Sequence, residues 1–453
     1  MRKILLVEPA YRNKFPPLGL MKLSTYHKLR GDYISFEKGL NPAKKNQQWD
    51  IIYISTLFTF YWKATIKTID YYLNSVKDKS NIVVGGITAT LLGDELEMEF
   101  PGITVKRGLL NKRGDIDCAN GIIIDELIPD YSLLDDIDYE YSLKDSYIAY
   151  ATKGCPRRCK FCAVHRIEPD FIHYLPLKKQ VICVDEIYGK KQDLILMDNN
   201  ALASDKFEVI IADILDLGFE RGAKLNGRKR IVDFNQGLDM RYVTDKKMQL
   251  LARTAIEPLR IAFDDISMQQ QYEDTITCAS KYGLLELSNY VLYNYKDTPE
   301  DFYQRLRVNV LLNEKLGTKI YSFPMKYIPL NAKDRTFVGR HWNKRIIRGI
   351  QCVLLATRGL ISPKRPFFEA AFGKSYEEFL KIVYMPDEYI IYRRNHENNG
   401  AFEWRKTYSQ LTSNQMNQFL EIISDNKIEE KDVVRQKSKR LKTILSHYIE
   451  SKR

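Results

Sequence analysis

The 453-residue sequence has no apolar run approaching the ~20 residues that a membrane-spanning helix requires. Its N-terminus, "MRKILLVEPA", starts basic, but the apolar run "ILLV" is four residues long and Glu8 follows. A secretory signal needs a longer apolar region and a small-residue cleavage site, so a cytoplasmic location is expected and no membrane partner. Cysteine is scarce and odd in number: there are seven, of which Cys118, Cys183, Cys278 and Cys352 stand singly. Secreted disulfide frameworks are denser and more regular. Internal repeats and low-complexity tracts are absent too. Hydrophobic residues make up 44% and charged residues 28%, a globular composition on a chain long enough for two or three domains.

What is present is alternation. "KILLV", "DIIYISTLF" and "NIVVGG" read as buried strands, with helices over "LMKLSTYHKLRG" and "ATIKTIDYYLNSV" between them. Strands alternating with helices predict a doubly wound parallel sheet over residues 1–140. The pattern resumes at 141–330. Strands "YIAYATKG", "DLILMDNN", "RIVDFNQG", "PLRIAFDD", "SNYVLYNY" and "TKIYSFPM" alternate with helical segments, and six such units predict a partial barrel. Residues 331–453 lose the alternation and read as a mostly helical section. The fold class expected is therefore α/β with a helical C-terminal section.

One stretch concentrates chemistry. "ATKGCPRRCKFCAVHRIEP" places Cys155, Cys159 and Cys162 within eight residues, after the first barrel strand. Ligands of parallel sheets bind beyond the strands' C-terminal ends. A disulfide is the weakest reading in a reduced compartment. Zinc wants four protein ligands when structural, which His165 could complete, although no second cysteine pair exists. An iron–sulfur cluster held by three thiolates would leave one iron open. Spacing alone leaves these readings side by side. Pro156 stiffens the loop, and Arg157 and Arg158 read as solvated loop charges. Cys183 reads as a small core residue.

The surroundings of the motif resemble the radical S-adenosylmethionine (SAM) superfamily. Its signature is Cys-x3-Cys-x2-Cys with an aromatic before the third cysteine, here Phe161, on the loop after the first strand of a partial six-stranded barrel. The resemblance spans about residues 145–330. It implies that Cys155, Cys159 and Cys162 ligate a [4Fe–4S] cluster and that SAM chelates the fourth iron. An external electron donor would reduce the cluster. Reductive cleavage of SAM would give a 5′-deoxyadenosyl radical that modifies a substrate. It also implies cofactor-binding residues. Asp198, Asn199 and Asn200 would hold the SAM amino group, the alternative being that they cap the next helix. Gln236 and Arg241 would contact SAM from the third strand, an ordinary surface Arg241 being the alternative. Asp264 would bind the ribose hydroxyls, where relatives carry Gly-x-Glu-Ser and this chain has Ala262 and Asp264. On the fifth strand relatives often have Gly and Pro, and Tyr293 and Asn294 depart from that.

The N-terminal section resembles the cobalamin-binding domain that precedes many such barrels, on "ILLVEPA", "PPLGLMKLSTYHKLRG", "DIIYISTLF" and "IVVGG". That likeness implies cobalamin as a further cofactor, as in a cobalamin-dependent radical SAM methyltransferase. The cobalt-ligating Asp-x-His-x-x-Gly loop is missing, however, and the section's one histidine, His27, falls in a predicted helix. A methylthiotransferase would need three more cysteines in the first section, where only Cys118 is found.

The formal charge of +12 is uneven: residues 331–453 hold 24 Lys+Arg against 14 Asp+Glu, a balance of +10, which leaves +2 for the rest. Within 331–366, nine basic residues and one acidic residue surround Phe337, His341 and Trp342. Cations among aromatics suit phosphates and stacked bases, so nucleic acid is an expected partner through this region, a solvated basic helix face being the alternative. Two function classes follow: a radical SAM enzyme with unknown substrate, or a non-catalytic zinc-stabilised binding protein.

Overall fold

The computed structural model describes residues 1–116 and 121–450, so Cys118 lies outside the described residues. The chain divides into two compact units, one of residues 1–257 with 328–337, the other of 258–327 with the chain from 338 onward.

In the first unit, Lys3–Glu8 (β1) is buried from Ile4 to Glu8, because "ILLV" offers apolar side chains to both faces, as a central parallel strand must. Tyr33–Lys38 (β2), Ile51–Thr56 (β3), Ile82–Gly86 (β4) and Thr104–Val105 (β5) complete a five-stranded sheet of order β2-β1-β3-β4-β5, parallel throughout. Consecutive order is interrupted at β1, the doubly wound arrangement expected for this section. Leu5, Val7, Ile52, Ile54 and Val84 pack against Trp62, Ile69 and Tyr72, the latter three from the helix Trp62–Tyr72. The strand β2 was not expected. "YISFEK" buries only Ser35 and Phe36 and lies at a sheet edge, so its apolar signal is weak. His27, on the helix Leu18–Leu29, is fully buried, with Nδ1 2.8 Å from Asp32 Oδ2 and Nε2 3.2 Å from the Tyr53 hydroxyl. Burial lowers its pKa.

A second sheet in this unit joins Ser146–Ala149 (β6), Asp193–Leu196 (β7) and, beyond a small hairpin of Lys224–Leu225 (β8) and Arg228–Lys229 (β9), Val232–Phe234 (β10). Its order is β10-β7-β6, all parallel. Ala149 pairs with Leu196, and Leu196 with Phe234. The residues that follow the three strands therefore emerge at one edge. Residues 328–337 also belong to this unit. There Arg335 lies 4.2 Å from the Phe60 ring centroid and donates to the Tyr61 hydroxyl at 3.3 Å, and Lys333 sits 4.0 Å over Trp62.

The second unit contains Leu259–Ala262 (β11), Glu286–Tyr293 (β12) and Lys319–Lys326 (β13) as a parallel sheet of order β11-β12-β13. The connecting helices are Gln269–Lys281 and Pro299–Leu316; Thr298 starts the latter with a capping box to Asp301. All six strands anticipated from the alternation are found, as two sheets of three. Helices follow from Lys344–Ala356 to Lys439–Glu450 around a core that includes Phe302, Ile350, Phe379 and Trp404. Among the described residues no helix is long and apolar enough to cross a membrane.

The basic stretch departs from expectation in its details. Trp342 is 6% exposed, packs against Tyr293 and Phe302, and donates its Nε1–H to the Asp297 carbonyl at 2.8 Å. It is a core side chain and presents no face for a base to stack on. Arg345 is buried as well, donating to the Val383 carbonyl, Asp387 and Asn426 at 3.1, 2.9 and 2.7 Å. Lys344, Arg348 and Arg365 pair with Asp425, Asp387 and Glu314. Much of the local positive charge is thus spent on joining helices, which composition cannot reveal. Cys183 is half-buried rather than in the core.

Candidate metal centre on the cysteine loop

The three cysteines sit on an excursion that leaves and rejoins the β6 edge. Its base is closed by an antiparallel bridge in which Lys153 and Ile172 exchange backbone hydrogen bonds of 3.2 and 2.9 Å. Gly154 opens the loop at φ +71°, and a Cβ there would stand 2.2 Å from the Asp170 carbonyl oxygen. Only glycine fits that combination of positive φ and backbone contact. The Gly154 N–H donates to Glu168 Oε2 at 2.7 Å, and the same oxygen accepts from Asn199 Nδ2 at 2.7 Å. Buried Glu168 therefore ties both ends of the loop to the end of β7. Within the loop the Cys162 N–H donates to the Cys159 carbonyl at 3.0 Å, and the short helix Val164–Ile167 follows. All three cysteines are half-buried and none is in a disulfide.

The segment after β7, "MDNN", splits into different tasks. Asp198 is fully buried and its carboxylate accepts from the backbone N–H groups of Ala151 and Thr152 and, at 2.7 Å, from the Thr152 hydroxyl. Burial pushes its pKa up to about 6 despite these donors. It holds the β6 exit in place. Asn199 serves the loop through Glu168. Asn200, 1% exposed, donates Nδ2 to Cys155 Sγ at 3.3 Å and to Asp239 Oδ2 at 3.2 Å, while its Oδ1 is buried without a partner. None of the three caps the next helix, Phe207–Asp216, which has no side-chain cap.

Asp239 is the third-strand contribution that sequence reasoning missed. It caps the turn Met240–Tyr242 and holds Arg241 through Nε and Nη2 at 2.6 and 2.8 Å. Burial works against the charge on Arg241, but Asp239 and then the Cys159 thiol outweigh it and raise its pKa. Arg241 thus lies beside the second cysteine. Its signal in the sequence was the Asp-x-Arg spacing of "GLDMR", which offers a carboxylate two residues before the guanidinium. Gln236 is exposed, and Phe161 is half-buried.

Behind the loop base, Lys153 Nζ pairs with Asp125, which also meets Lys22 Nζ at 3.2 Å. Burial favours the neutral acid at Asp125, but the two ammonium groups hold its pKa down; burial lowers that of Lys22. Neither partner of this cluster was anticipated, because residues 22, 125 and 153 are far apart in sequence.

In the second unit, Asp264 follows β11 and is half-buried. Arg305, fully buried, donates to the Phe263 carbonyl at 2.9 Å beside it and feels its charge. Tyr293 is 2% exposed, packed between Phe302 and Trp342. Asn294 takes φ +68°, with its Oδ1 accepting from the Gly339 N–H at 2.8 Å. Asparagine is among the residues that tolerate this region.

Among the described residues no three His, Cys, Asp or Glu side chains gather around one ion position, as zinc demands. Cluster irons each take one thiolate and need no such convergence. His165 Nδ1 is buried without a hydrogen-bond partner.

No family model and no curated protein matches this sequence. Among solved structures it is similar to the radical SAM methyltransferase TsrM from Kitasatospora setae, solved with a tryptophan substrate and the SAM analogue aza-SAM. The identity is 13% and the TM-score 0.50, over 78% of this chain and 77% of that one. It is also similar to coproporphyrinogen III oxidase (HemN) from Escherichia coli, a radical SAM enzyme, at 13% identity and TM-score 0.29, over 44% of this chain and 51% of that one. The chain shares the fold of the methyltransferase TsrM, with the Cys-x3-Cys-x2-Cys motif on the loop after β6.

Proposed function

We propose that this protein is a radical SAM enzyme in which Cys155, Cys159 and Cys162 hold a [4Fe–4S] cluster, with one iron left for SAM. The observation that carries the reading is the cysteine loop itself, three cysteines outside any disulfide at the C-terminal edge of a parallel sheet, on a base tied by Gly154, Glu168 and Asn199. A cluster held by these three thiolates and reduced by an external donor would provide the electron for reductive cleavage of SAM to methionine and a 5′-deoxyadenosyl radical.

The chain's own residues orient and screen. Asn200 offers an N–H to Cys155 and, through its unpartnered Oδ1, an acceptor suited to the SAM amino group. Asp239 fixes Asn200 and Arg241 at once, so a donor stands at two of the three sulfurs. Asp264 is assigned to the ribose hydroxyls. The reading carries a partial barrel over 141–330, within a three-part layout of 1–140, 141–330 and 331–453.

Cobalamin-dependent methyl transfer is compatible with the same fold. His27 is committed to Asp32 and Tyr53, so the N-terminal sheet offers cobalt no histidine. For nucleic acid, the residues still exposed in 331–366 include Arg340, His341, Arg358 and Lys364.

Protein purified and reconstituted without oxygen should bind about four irons per chain. It should release 5′-deoxyadenosine from SAM under dithionite, and Cys159→Ala should abolish that release. Release at the wild-type rate by Cys159→Ala, or a colourless zinc protein, would overturn the assignment.

A further inference from the structure

The second unit carries a cavity of about 390 Å³ that the cysteine chemistry does not use. It opens between the C-terminal half of the helix Lys344–Ala356, the helix Arg365–Phe372 and residues 390–395. At about 30 Å³ per water in the liquid, that is room for about a dozen waters, or a large apolar side chain with part of the residue before it. Its floor is apolar: Val353 and Ile390 are each 2% exposed and Ala371 8%. Phe367 and Tyr392 stand at its rim, 40% and 53% exposed. Large aromatic side chains this open beside an apolar floor are the surface that ligands and partners use.

One side of the groove is cationic. Arg393 and Arg394 both line it. Arg393 is half-buried, and among the described residues its guanidinium makes no ion pair and no hydrogen bond. The charged groups that face it are Arg405, of like sign, and Glu397. Arg405 is itself turned to the Glu397 carbonyl, at 3.4 Å. Elsewhere in this unit Arg345 and Arg348 share Asp387, and Arg305 holds Asp297. Among the described residues Arg393 has no such carboxylate partner, and it lines the groove beside the apolar floor.

We propose that this groove binds the C-terminal carboxylate of a peptide whose last side chain is large and apolar. A guanidinium presents parallel N–H donors that match a carboxylate, and a half-buried one binds it more strongly than a solvated one. The floor between the helices takes the terminal side chain, and the rings of Phe367 and Tyr392 flank it. An open groove suits one or two residues of a chain whose remainder stays in water. A lipid carboxylate would call for a long enclosed channel, and a nucleic acid for polar walls. The site is independent of the cysteine loop.

The test uses the full-length protein and a fluorescein-labelled, glycine-rich peptide ending in leucine, as free acid and as C-terminal amide, read by anisotropy. The free acid should bind and the amide should bind about ten- to a hundredfold more weakly, the usual cost of losing a charged hydrogen bond. Arg393→Gln should weaken the free acid by the same factor and leave the amide unchanged. Ala356→Leu, at an exposed position on the groove, should weaken both forms by filling the floor. Both variants should keep the wild-type circular dichroism spectrum. Equal binding of acid and amide would overturn the proposal, as would no binding of either. Binding of dodecanoate without the free-acid peptide would also overturn it and assign the groove to lipid.

Discussion

Asp198 gives the most quantitative test of how the cysteine loop is held. Its carboxylate is fully buried at the exit of β6, and burial raises its pKa from 3.8 to about 6. A raised acid pKa means that the folded protein holds the proton more tightly than the unfolded chain. This group's contribution is therefore fully present below about pH 3.8 and is lost as pH rises through about 6. The shift is about two units, and at about 1.4 kcal/mol per unit it amounts to about 3 kcal/mol. Asp198→Asn removes the titration while keeping an amide oxygen for the Thr152 donors. Its NH2 group meets the Ala151 N–H, which costs stability by an amount that does not vary with pH. The level of stability is thus not the observable; its slope is. Urea unfolding of both proteins from pH 3.5 to 7.5, followed by circular dichroism, should show the variant gaining about 3 kcal/mol on the wild type as pH rises. A difference that stays constant across that range would refute the argument and make Asp198 an ordinary hydrogen-bonded acid.

Other predictions follow from contacts of the same kind. Gly154→Ala forces a Cβ to 2.2 Å from the Asp170 carbonyl at φ +71°, so the loop must shift. The purified variant should hold well under half the wild-type iron after identical reconstitution and should melt at a lower temperature; wild-type iron content would show that the loop tolerates the shift. Arg345→Met strips three partners of a buried guanidinium, although Asp387 keeps Arg348. It should cost about 3 kcal/mol, the low end for breaking a buried pair, in urea unfolding of the full chain. A loss under about 1 kcal/mol would return Arg345 to the role of surface charge that the sequence suggested.

The local and periodic features were legible in the sequence. Buried parallel strands need apolar side chains on both faces, so "KILLV" and "DLILMDNN" announce β1 and β7 without any tertiary information. The cysteine motif is legible for a related reason: its ligands come from one short loop, so spacing carries most of the geometry. The edge strand β2 was not legible, because a half-exposed strand leaves too few apolar residues to show a period.

What only the tertiary structure decided is which polar groups meet. "MDNN" names three equivalent candidates, yet one holds a strand exit, one ties a loop and one reaches a sulfur. Those partners lie more than thirty residues away in sequence, beyond the reach of any spacing rule. The basic stretch around Trp342 shows the same limit from the other side. Charge and aromatic content describe a composition, and an amphipathic helix such as Lys344–Ala356 spends that composition on the core or on solvent according to which neighbours pack against it. Asp387 is one such neighbour, 42 residues beyond Arg345. A charge in a sequence has a sign but no partner, and only folding supplies the partner.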